Sequence, residues 1–290
     1  MPRFERILFP VDFSERSRAA APFVLSMAQR HNSKVVLLHA LQPPPPLYTG
    51  MNTVYPDVYD FEGLSADLRA ELEKFAETEL PKVGVTNVVE MGDPAAVIAE
   101  YADNENIALI MMPTHGYGAF RRALLGSVTA KVLHDAKVPV WTAAHAPEPS
   151  HRAHPKPRHI VCALDLKPES SHTLEFAVEL AAESDASIEL LHVAPEGQTG
   201  PTEAETRIHE LLLETARSKV VKIQEEADAT DVKAVLAGGS VADMVRDMAI
   251  KKRADLVVIG RGCINQGIAG RLRANSYAII REAPCPVLSV

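Results

Sequence analysis

The chain has 290 residues, of which 47% are hydrophobic, and its net charge is -8 with a pI near 5.8. This length and composition predict two domains of ordinary size, while the acidic balance and the lack of a Lys/Arg-rich run argue against nucleic acid or a membrane surface as a partner. No apolar run approaches the roughly 18 residues that span a bilayer, and three scattered cysteines fit a reducing compartment rather than a zinc site, so the expected location is the cytoplasm.

Four short apolar segments of the first half recur in the second half in the same order. The first two pairs lie 153 residues apart and the last two 147, so the second copy has lost six residues. The pairs are Ile7–Asp12 with Ile160–Asp165, Val36–Ala40 with Glu189–Val193, Ala108–Met112 with Asp255–Ile259, and Val138–Val140 with Cys285–Val287. The repeat predicts domains at residues 1–145 and 158–290, joined by a proline-rich linker at 146–157. One continuous domain would make the repeated order a coincidence.

Within each copy, apolar runs alternate with helical patterns in the order β-α-β-α-β-α-β-α-β. The spacing of Ala21, Val24, Leu25 and Ala28 is typical of a buried helix face. This alternation predicts two tandem α/β domains, each a doubly wound, Rossmann-like fold with a parallel five-stranded sheet. The strands predicted for the first copy are 6–11, 34–41, 85–91, 107–112 and 138–143. Ligands of such sheets bind beyond the carboxyl ends of the strands, where the strand order reverses.

Three features follow the first two strands. Asp12 comes directly after strand one, where its carboxylate would either contact a ligand or cap the next helix. His39 ends strand two, as His192 does in the second copy, and neither has a second metal ligand at suitable spacing, so we expect hydrogen-bonded core histidines. The segment Pro43–Phe61 is rich in proline and aromatic residues and is either a lid or an irregular connection.

The segment after strand four has the spacing of a phosphate-binding loop. Pro113-Thr114-His115-Gly116 is followed by nine residues and then by Gly126-Ser127, which opens a predicted helix. Glycine lets backbone N–H groups approach a phosphate, and a serine at a helix N-terminus adds a hydroxyl and the positive end of the helix dipole. A plain loop with an N-cap is the alternative. His115 is expected to be exposed to the crevice and to bind rather than catalyse.

With these residues in view, the chain resembles the universal stress protein family. Its ATP-binding members carry G-x2-G-x9-G-(S/T) after strand four and an aspartate after strand one. Gly116, Gly126, Ser127 and Asp12 match, and Pro113, which lacks an N–H, stands in place of the first glycine.

The resemblance implies an adenine-nucleotide alpha hydrolase-like fold that binds ATP, with Mg²⁺ held through the phosphates. Asp12 would lie near ribose or adenine, and Ala40 against adenine. The other contacts implied are Pro10, Pro113, His115, Gly116, Gly126, Ser127, Val128 and Thr129. No catalytic residue and no metal-ligating residue is expected.

The second copy keeps the fold but not this motif. Aligned without gaps, Gly260 stands opposite Pro113, and Ala274 opposite Ser127. Cys263 and Arg273 replace the two matching glycines. A structural role is therefore favoured for the second copy, with Arg273 filling the vacated space; the alternative is that the Arg273 guanidinium holds an anion.

These features predict a stress-response protein that binds ATP in its N-terminal domain and acts as a nucleotide-responsive regulatory or interaction module. The alternative is a scaffold that binds no nucleotide and works through domain pairing and protein partners. An enzyme is the less favoured class, with weak ATP hydrolysis at most, since no G-x4-G-K-(S/T), Ser-x-x-Lys or HExxH motif is present. The resemblance also implies that 138–143 pairs with 286–290 inside one chain. A homodimer is compatible with exposed sheet edges.

Overall fold

Strands and helices alternate along most of the described chain, as the apolar pattern predicts. The computed structural model describes residues 4–42, 47–49, 52–54, 61–115, 125–144, 155–194, 203–261 and 274–290. These form two compact units, the first of Met1–Met112 and Asp135–Val138, and the second of Pro113–His134 and Pro139–Val290. Among the described residues, no helix combines the length and apolar character needed to cross a bilayer.

The first unit contains a parallel sheet in the strand order β5-β2-β1-β6. Because β1 lies between β2 and β6, the strand order reverses there, and a crevice is expected at the carboxyl ends of β1 and β6. A separate antiparallel hairpin joins β3 to β4. The elements are β1 Arg6–Pro10, α1 Glu15–His31, β2 Lys34–Leu41, β3 Leu47–Thr49, β4 Asn52–Val54, α2 Phe61–Glu79, β5 Val85–Met91, α3 Pro94–Asn104 and β6 Leu109–Met112.

The second unit repeats this order as β10-β9-β8-β11-β12, all parallel. Strand β7 adds to β12 in antiparallel orientation, with Trp141 opposite Leu288. Helix α4 covers Ser127–Asp135, whose last residue falls in the first unit. The other elements are β7 Val140–Thr142, β8 His159–Leu164, α5 Ser170–Ser184, β9 Ser187–Ala194, α6 Glu203–Glu226, β10 Lys233–Gly238, α7 Val241–Lys252, β11 Leu256–Ile259, α8 Ala274–Glu282 and β12 Val287–Ser289.

Local sequence explains where these elements begin and end. Every residue of β6 and β11 is buried, as expected for strands of a parallel sheet that is covered on both faces. Ser14 caps the N-terminus of helix α1, because its Oγ accepts a hydrogen bond from the Ser17 N–H at 3.2 Å. Asn32 caps its C-terminus and adopts a left-handed conformation at φ 50°.

The predicted α/β fold with a mainly parallel sheet is confirmed. Within the segments 138–143 and 286–290, Val140–Thr142 pairs with Val287–Ser289, while pairing of the two copies as domains and a homodimer stay predictions. That the two copies bind each other once separated stays a prediction. The linker falls mostly outside the described residues, so its boundaries stay a prediction too. The segment Pro43–Phe61 was predicted to be a lid or an irregular connection, and the β3–β4 hairpin within it was not predicted. Residues 43–46, 50–51 and 55–60 of this segment lie outside the described residues.

Candidate functional site

The turn after β1 fixes the carboxylate of Asp12. Its Oδ1 accepts hydrogen bonds from the Ser17 hydroxyl at 2.7 Å and from the Ser14 N–H at 3.1 Å. Phe13, between them, has a positive φ of 62°, which lets the chain turn sharply into α1. Ser14 rather than Asp12 caps the helix, so the capping role considered for Asp12 is wrong. Both donors bind Oδ1, and Oδ2 is the oxygen that remains for a ligand.

His39 supports the same turn from the neighbouring strand. Its Nδ1 lies 2.9 Å from the Val11 carbonyl oxygen. Since a carbonyl only accepts, Nδ1 carries the proton and Nε2 is the acceptor of the neutral ring. The Phe13 ring packs on the imidazole with 5.0 Å between centroids. The expected hydrogen-bonded histidine is therefore present.

Gly126 holds the start of α4 against the end of the preceding segment. Its N–H donates to the Thr114 carbonyl at 2.9 Å, and its own carbonyl accepts the first helical hydrogen bond, from Ala130, at 2.8 Å. A Cβ on Gly126 would lie 2.9 Å from the Thr114 oxygen and 3.3 Å from His115 Cα. Only glycine permits this approach of two backbones.

The first helical residues of α4 leave their N–H groups open. Because Gly126 occupies the cap position, the N–H groups of Ser127, Val128 and Thr129 have no partner within the helix. The Ser127 side chain is exposed and Val128 is half-buried. The buried Thr129 hydroxyl donates a hydrogen bond to the Pro113 carbonyl at 3.0 Å. Because this hydroxyl is used within the protein, the backbone N–H is the Thr129 group that could bind a ligand.

The predicted contact residues fall into two groups. Pro10, Asp12 and Ala40 belong to the first compact unit, at the carboxyl ends of β1 and β2. The predicted contacts after the fourth strand belong to the second compact unit: Pro113, His115, Gly126, Ser127, Val128 and Thr129. His115 is only 7% exposed, so the expectation that it is exposed to the crevice is wrong; it follows a fully buried strand and stays inside. Gly116 lies outside the described residues.

The second copy repeats the aspartate turn. Asp165 Oδ1 accepts from the Ser170 hydroxyl at 3.2 Å and from the Lys167 N–H at 3.3 Å, and Leu166 has a φ of 54°. His192 Nδ1 lies 2.8 Å from the Leu164 carbonyl oxygen. The serines were missed in the sequence, although both copies show the same Asp-x4-Ser spacing.

The second copy also contains a cavity of about 360 Å³ that the sequence did not indicate. It lies at the carboxyl ends of β8, β9 and β11, where the strand order reverses. Gly260 is at its rim, where an added Cβ would come within 3.0 Å of Thr173 Oγ1. The cavity occupies the place in this copy that corresponds to the crevice predicted in the first.

Two cysteines of the second copy are unsuited to nucleophilic chemistry. Burial raises the pKa of the Cys162 thiol to about 12 from an ordinary 9.0. Burial, and to a smaller extent the charge of Asp255, also raises the pKa of Cys285. Both thiols therefore stay protonated and inert near neutral pH.

Comparisons with known proteins agree with this architecture. The model of the universal stress protein family matches residues 3–143 and again 156–290. A universal stress protein of Methanocaldococcus jannaschii is 28% identical over 151 residues, covering 47% of this chain and 93% of the relative. One of Thermus aquaticus is 33% identical over 143 residues, covering 47% and 96%.

A crystal structure of a universal stress protein from Archaeoglobus fulgidus has the same fold along nearly the whole length, with a TM-score of 0.67, 20% identity and coverage of 98% of this chain and 97% of the other. The two family matches together span both copies of the repeat. The chain therefore belongs to the universal stress protein family.

Proposed function

We propose that the first copy binds ATP at the carboxyl ends of β1 and β6, and that the protein acts in the stress response as a nucleotide-responsive regulatory or interaction module in the cytoplasm. The observation that carries the proposal is the contact at Gly126, where a single added carbon would lie 2.9 Å from the Thr114 carbonyl. The glycine that the ATP-binding motif requires is thus also required by the geometry.

The phosphates would bind at the N-terminus of α4. Three consecutive N–H groups, from Ser127 to Thr129, lack helical partners, and the helix dipole favours negative charge there. The exposed Ser127 hydroxyl adds a further donor. Mg²⁺, when present, would neutralise phosphate oxygens, and no side chain of the described residues is assigned to hold it.

The sugar would bind at Asp12. Its carboxylate is held in one orientation by Ser14 and Ser17, so it is preorganised to accept hydrogen bonds from hydroxyl groups. Ala40, half-buried at the end of β2, offers a small apolar surface for the base. Pro113 offers no N–H, and its carbonyl serves Thr129 instead.

A second candidate is a scaffold that binds no nucleotide. Proline at position 113, where the family motif has glycine, favours it. The antiparallel pairing of β7 with β12 also favours it, because such strand pairing is a means of assembly in its own right.

Calorimetric titration of the full chain with Mg-ATP tests the two candidates. We expect one saturable site, weakened about ten-fold or more by Asp12→Asn, because the isosteric amide loses the charge that strengthens hydrogen bonds to ribose. Asp231→Asn is the matched control, since Asp231 is an exposed aspartate in the second copy, and it should leave the affinity unchanged. Failure of the folded wild-type chain to bind Mg-ATP at millimolar concentration would remove the proposal and favour the scaffold.

A further inference from the structure

Helix α6 exposes large apolar side chains on its outer face. It packs against α5, β9 and β10, and its buried side chains, among them Val220 and Ile223, form the inner face. Leu211 and Val221 lie on the opposite face and are 63% and 53% exposed. The outer face of a surface helix is normally polar, because an apolar side chain gains nothing from contact with water. Two apolar side chains on one outer face make it a candidate contact surface.

The exposed residues of this face follow the spacing of a coiled-coil seam. From residue 207 to residue 225, intervals of four and three residues alternate, which is the heptad spacing at which two helices contact each other. All members of this row are exposed. We call the row the outer stripe of α6, and it consists of Arg207, Leu211, Glu214, Ser218, Val221 and Glu225.

The outer stripe is complementary to itself when a second copy runs in the opposite direction. A two-fold axis beside position 216 brings Leu211 of each copy against Val221 of the other, so the apolar side chains cover each other. The same axis brings Arg207 of each copy against Glu225 of the other, which pairs opposite charges at both ends of the contact. A two-fold contact makes each of these pairs twice. A second copy of this chain is therefore the occupant that the stripe fits.

The charges of the outer stripe also select the antiparallel direction. In a parallel pair, Arg207, Glu214 and Glu225 would each face the same residue of the other copy, and like charges repel. In the antiparallel pair, Glu214 instead faces Ser218, whose hydroxyl donates to the Glu214 carbonyl of its own helix at 3.0 Å. This serine is small and leaves room for the carboxylate. Within the stripe, the antiparallel pair therefore brings no like charges together.

The equivalent helix of the first copy does not share this complementarity. Aligned on the buried residues Leu72 of α2 and Val220 of α6, the two helices differ at the next position, where Glu73 stands in place of Val221. A carboxylate there would lie against an apolar side chain in the same arrangement. The outer stripe is thus a feature of the second copy.

We propose that two copies of this chain associate through the outer stripe of α6, antiparallel and about a two-fold axis beside position 216. This surface is distinct from the sheet edges, and the contact does not depend on ATP binding. The stripe is about 27 Å long, and a single pair of helices of this length buries less than about 1,200 Å², the size of a transient contact. We therefore expect a reversible dimer with a dissociation constant of about 10–100 µM.

Sedimentation velocity of the full chain, at concentrations from about 1 to 300 µM, measures this association. Leu211→Glu sets a carboxylate against the apolar Val221 of the other copy, so we expect association that is weaker by about ten-fold or more. Leu212→Glu is the matched control, because Leu212 is also exposed, at 48%, but points about 100° away around the helix. It should leave the dissociation constant unchanged. Circular dichroism verifies the fold of both variants.

Exchange of the end charges tests the antiparallel register. Arg207→Glu alone and Glu225→Arg alone each bring like charges together at both ends, so each should weaken the association about five-fold. The two changes together restore opposite charges and should return the dissociation constant to within about two-fold of the wild-type value. Arg207 and Glu225 lie about 27 Å apart along one helix, so only a second copy can bring them together. The proposal is overturned if the wild-type chain is monomeric at about 300 µM, if Leu211→Glu associates as tightly as the wild type, or if the double exchange associates no better than the single variants.

Discussion

The aspartate after the first strand is held in the same way in the two copies, whereas the segment after the fourth strand differs in sequence. Asp12 and Asp165 are held by equivalent serines, and His39 and His192 by equivalent carbonyls. After the fourth strand, by contrast, the first copy requires glycine at 126 and the second has Arg273 there. The aspartate turn is thus common to both copies, and the residues that differ lie at the other strand end.

A paired exchange of residues accompanies this change. In the second copy, Gly260 lies close to Thr173, which would be 3.0 Å from an added Cβ. In the first copy, the equivalent residues are Pro113 and Ala20. A larger residue at the strand end thus goes with a smaller residue on the helix, so the two exchanges are best tested together.

The largest effect is expected from Gly126→Ala. The new methyl group would lie 2.9 Å from a backbone oxygen that has little freedom to move, so we expect a loss of about 1–3 kcal/mol in the free energy of unfolding and loss of ATP binding. Denaturant unfolding and calorimetry measure the two effects. Gly84→Ala is the control, because an added Cβ there meets nothing within 4 Å. Equal effects of the two substitutions on stability and ATP binding would contradict the requirement for glycine at position 126.

The shared aspartate turn is tested by Ser17→Ala and Ser170→Ala. Ser17 is fully buried and donates to Asp12 at 2.7 Å, so its loss should cost about 2 kcal/mol of unfolding free energy. Ser170 donates at the longer distance of 3.2 Å, and about 1 kcal/mol is expected. Ser218→Ala, on an exposed helix face, should be close to neutral. If Ser170→Ala lowers the free energy of unfolding more than Ser17→Ala does, the ranking by hydrogen-bond length is contradicted.

Alkaline pH should distinguish Cys162 from the equivalent Phe9 of the first copy, which cannot ionise. The folded-state pKa of Cys162 is raised to about 12 from 9.0, so its contribution to stability is complete below about pH 9 and is lost as the pH rises toward 12. Between about pH 8 and pH 10, the wild-type chain should lose about 1 kcal/mol more unfolding free energy than Cys162→Ala. Parallel stability curves for the two proteins would contradict the raised pKa.

The smallest effect is expected at a surface ion pair that only the first copy has. Lys137 Nζ lies 2.6 Å from Asp103 Oδ2, and the Lys137 side chain is 71% exposed. The equivalent residues of the second copy are Pro284 and Ile250. Lys137→Ala should change the unfolding free energy by less than about 0.5 kcal/mol, and added salt should reduce the change further. If Lys137→Ala lowers the free energy of unfolding by several times this amount, the ion pair contributes substantially to the stability of the first copy.

Much of the fold could be predicted because its signals are local and repeated. The strand predicted at 34–41 is Lys34–Leu41, and that at 85–91 is Val85–Met91. The β3–β4 hairpin was missed because strands of three residues are too short to show an alternating pattern.

The site was less predictable because it depends on side-chain directions and empty volume. The Asp-x4-Ser spacing was visible in the sequence, but the rotamers that join Asp12 to Ser17 were not. Gly126 was found from motif spacing, while its close contact with Thr114 depends on tertiary structure. The cavity near Val245 and Ile279 has no motif, since apolar helix residues look the same whether they meet other side chains or a space.

The antiparallel pairing of β7 with β12 has a consequence for aggregation. Every residue of the short β12 strand is buried, and β7 satisfies one side of its backbone from Val287 to Ser289. A fragment beginning at residue 158 would lack β7 and present this apolar edge to other chains, which is the usual starting point for edge-to-edge association. The first copy thus acts, through three residues, as the protective cover of the last strand of the second.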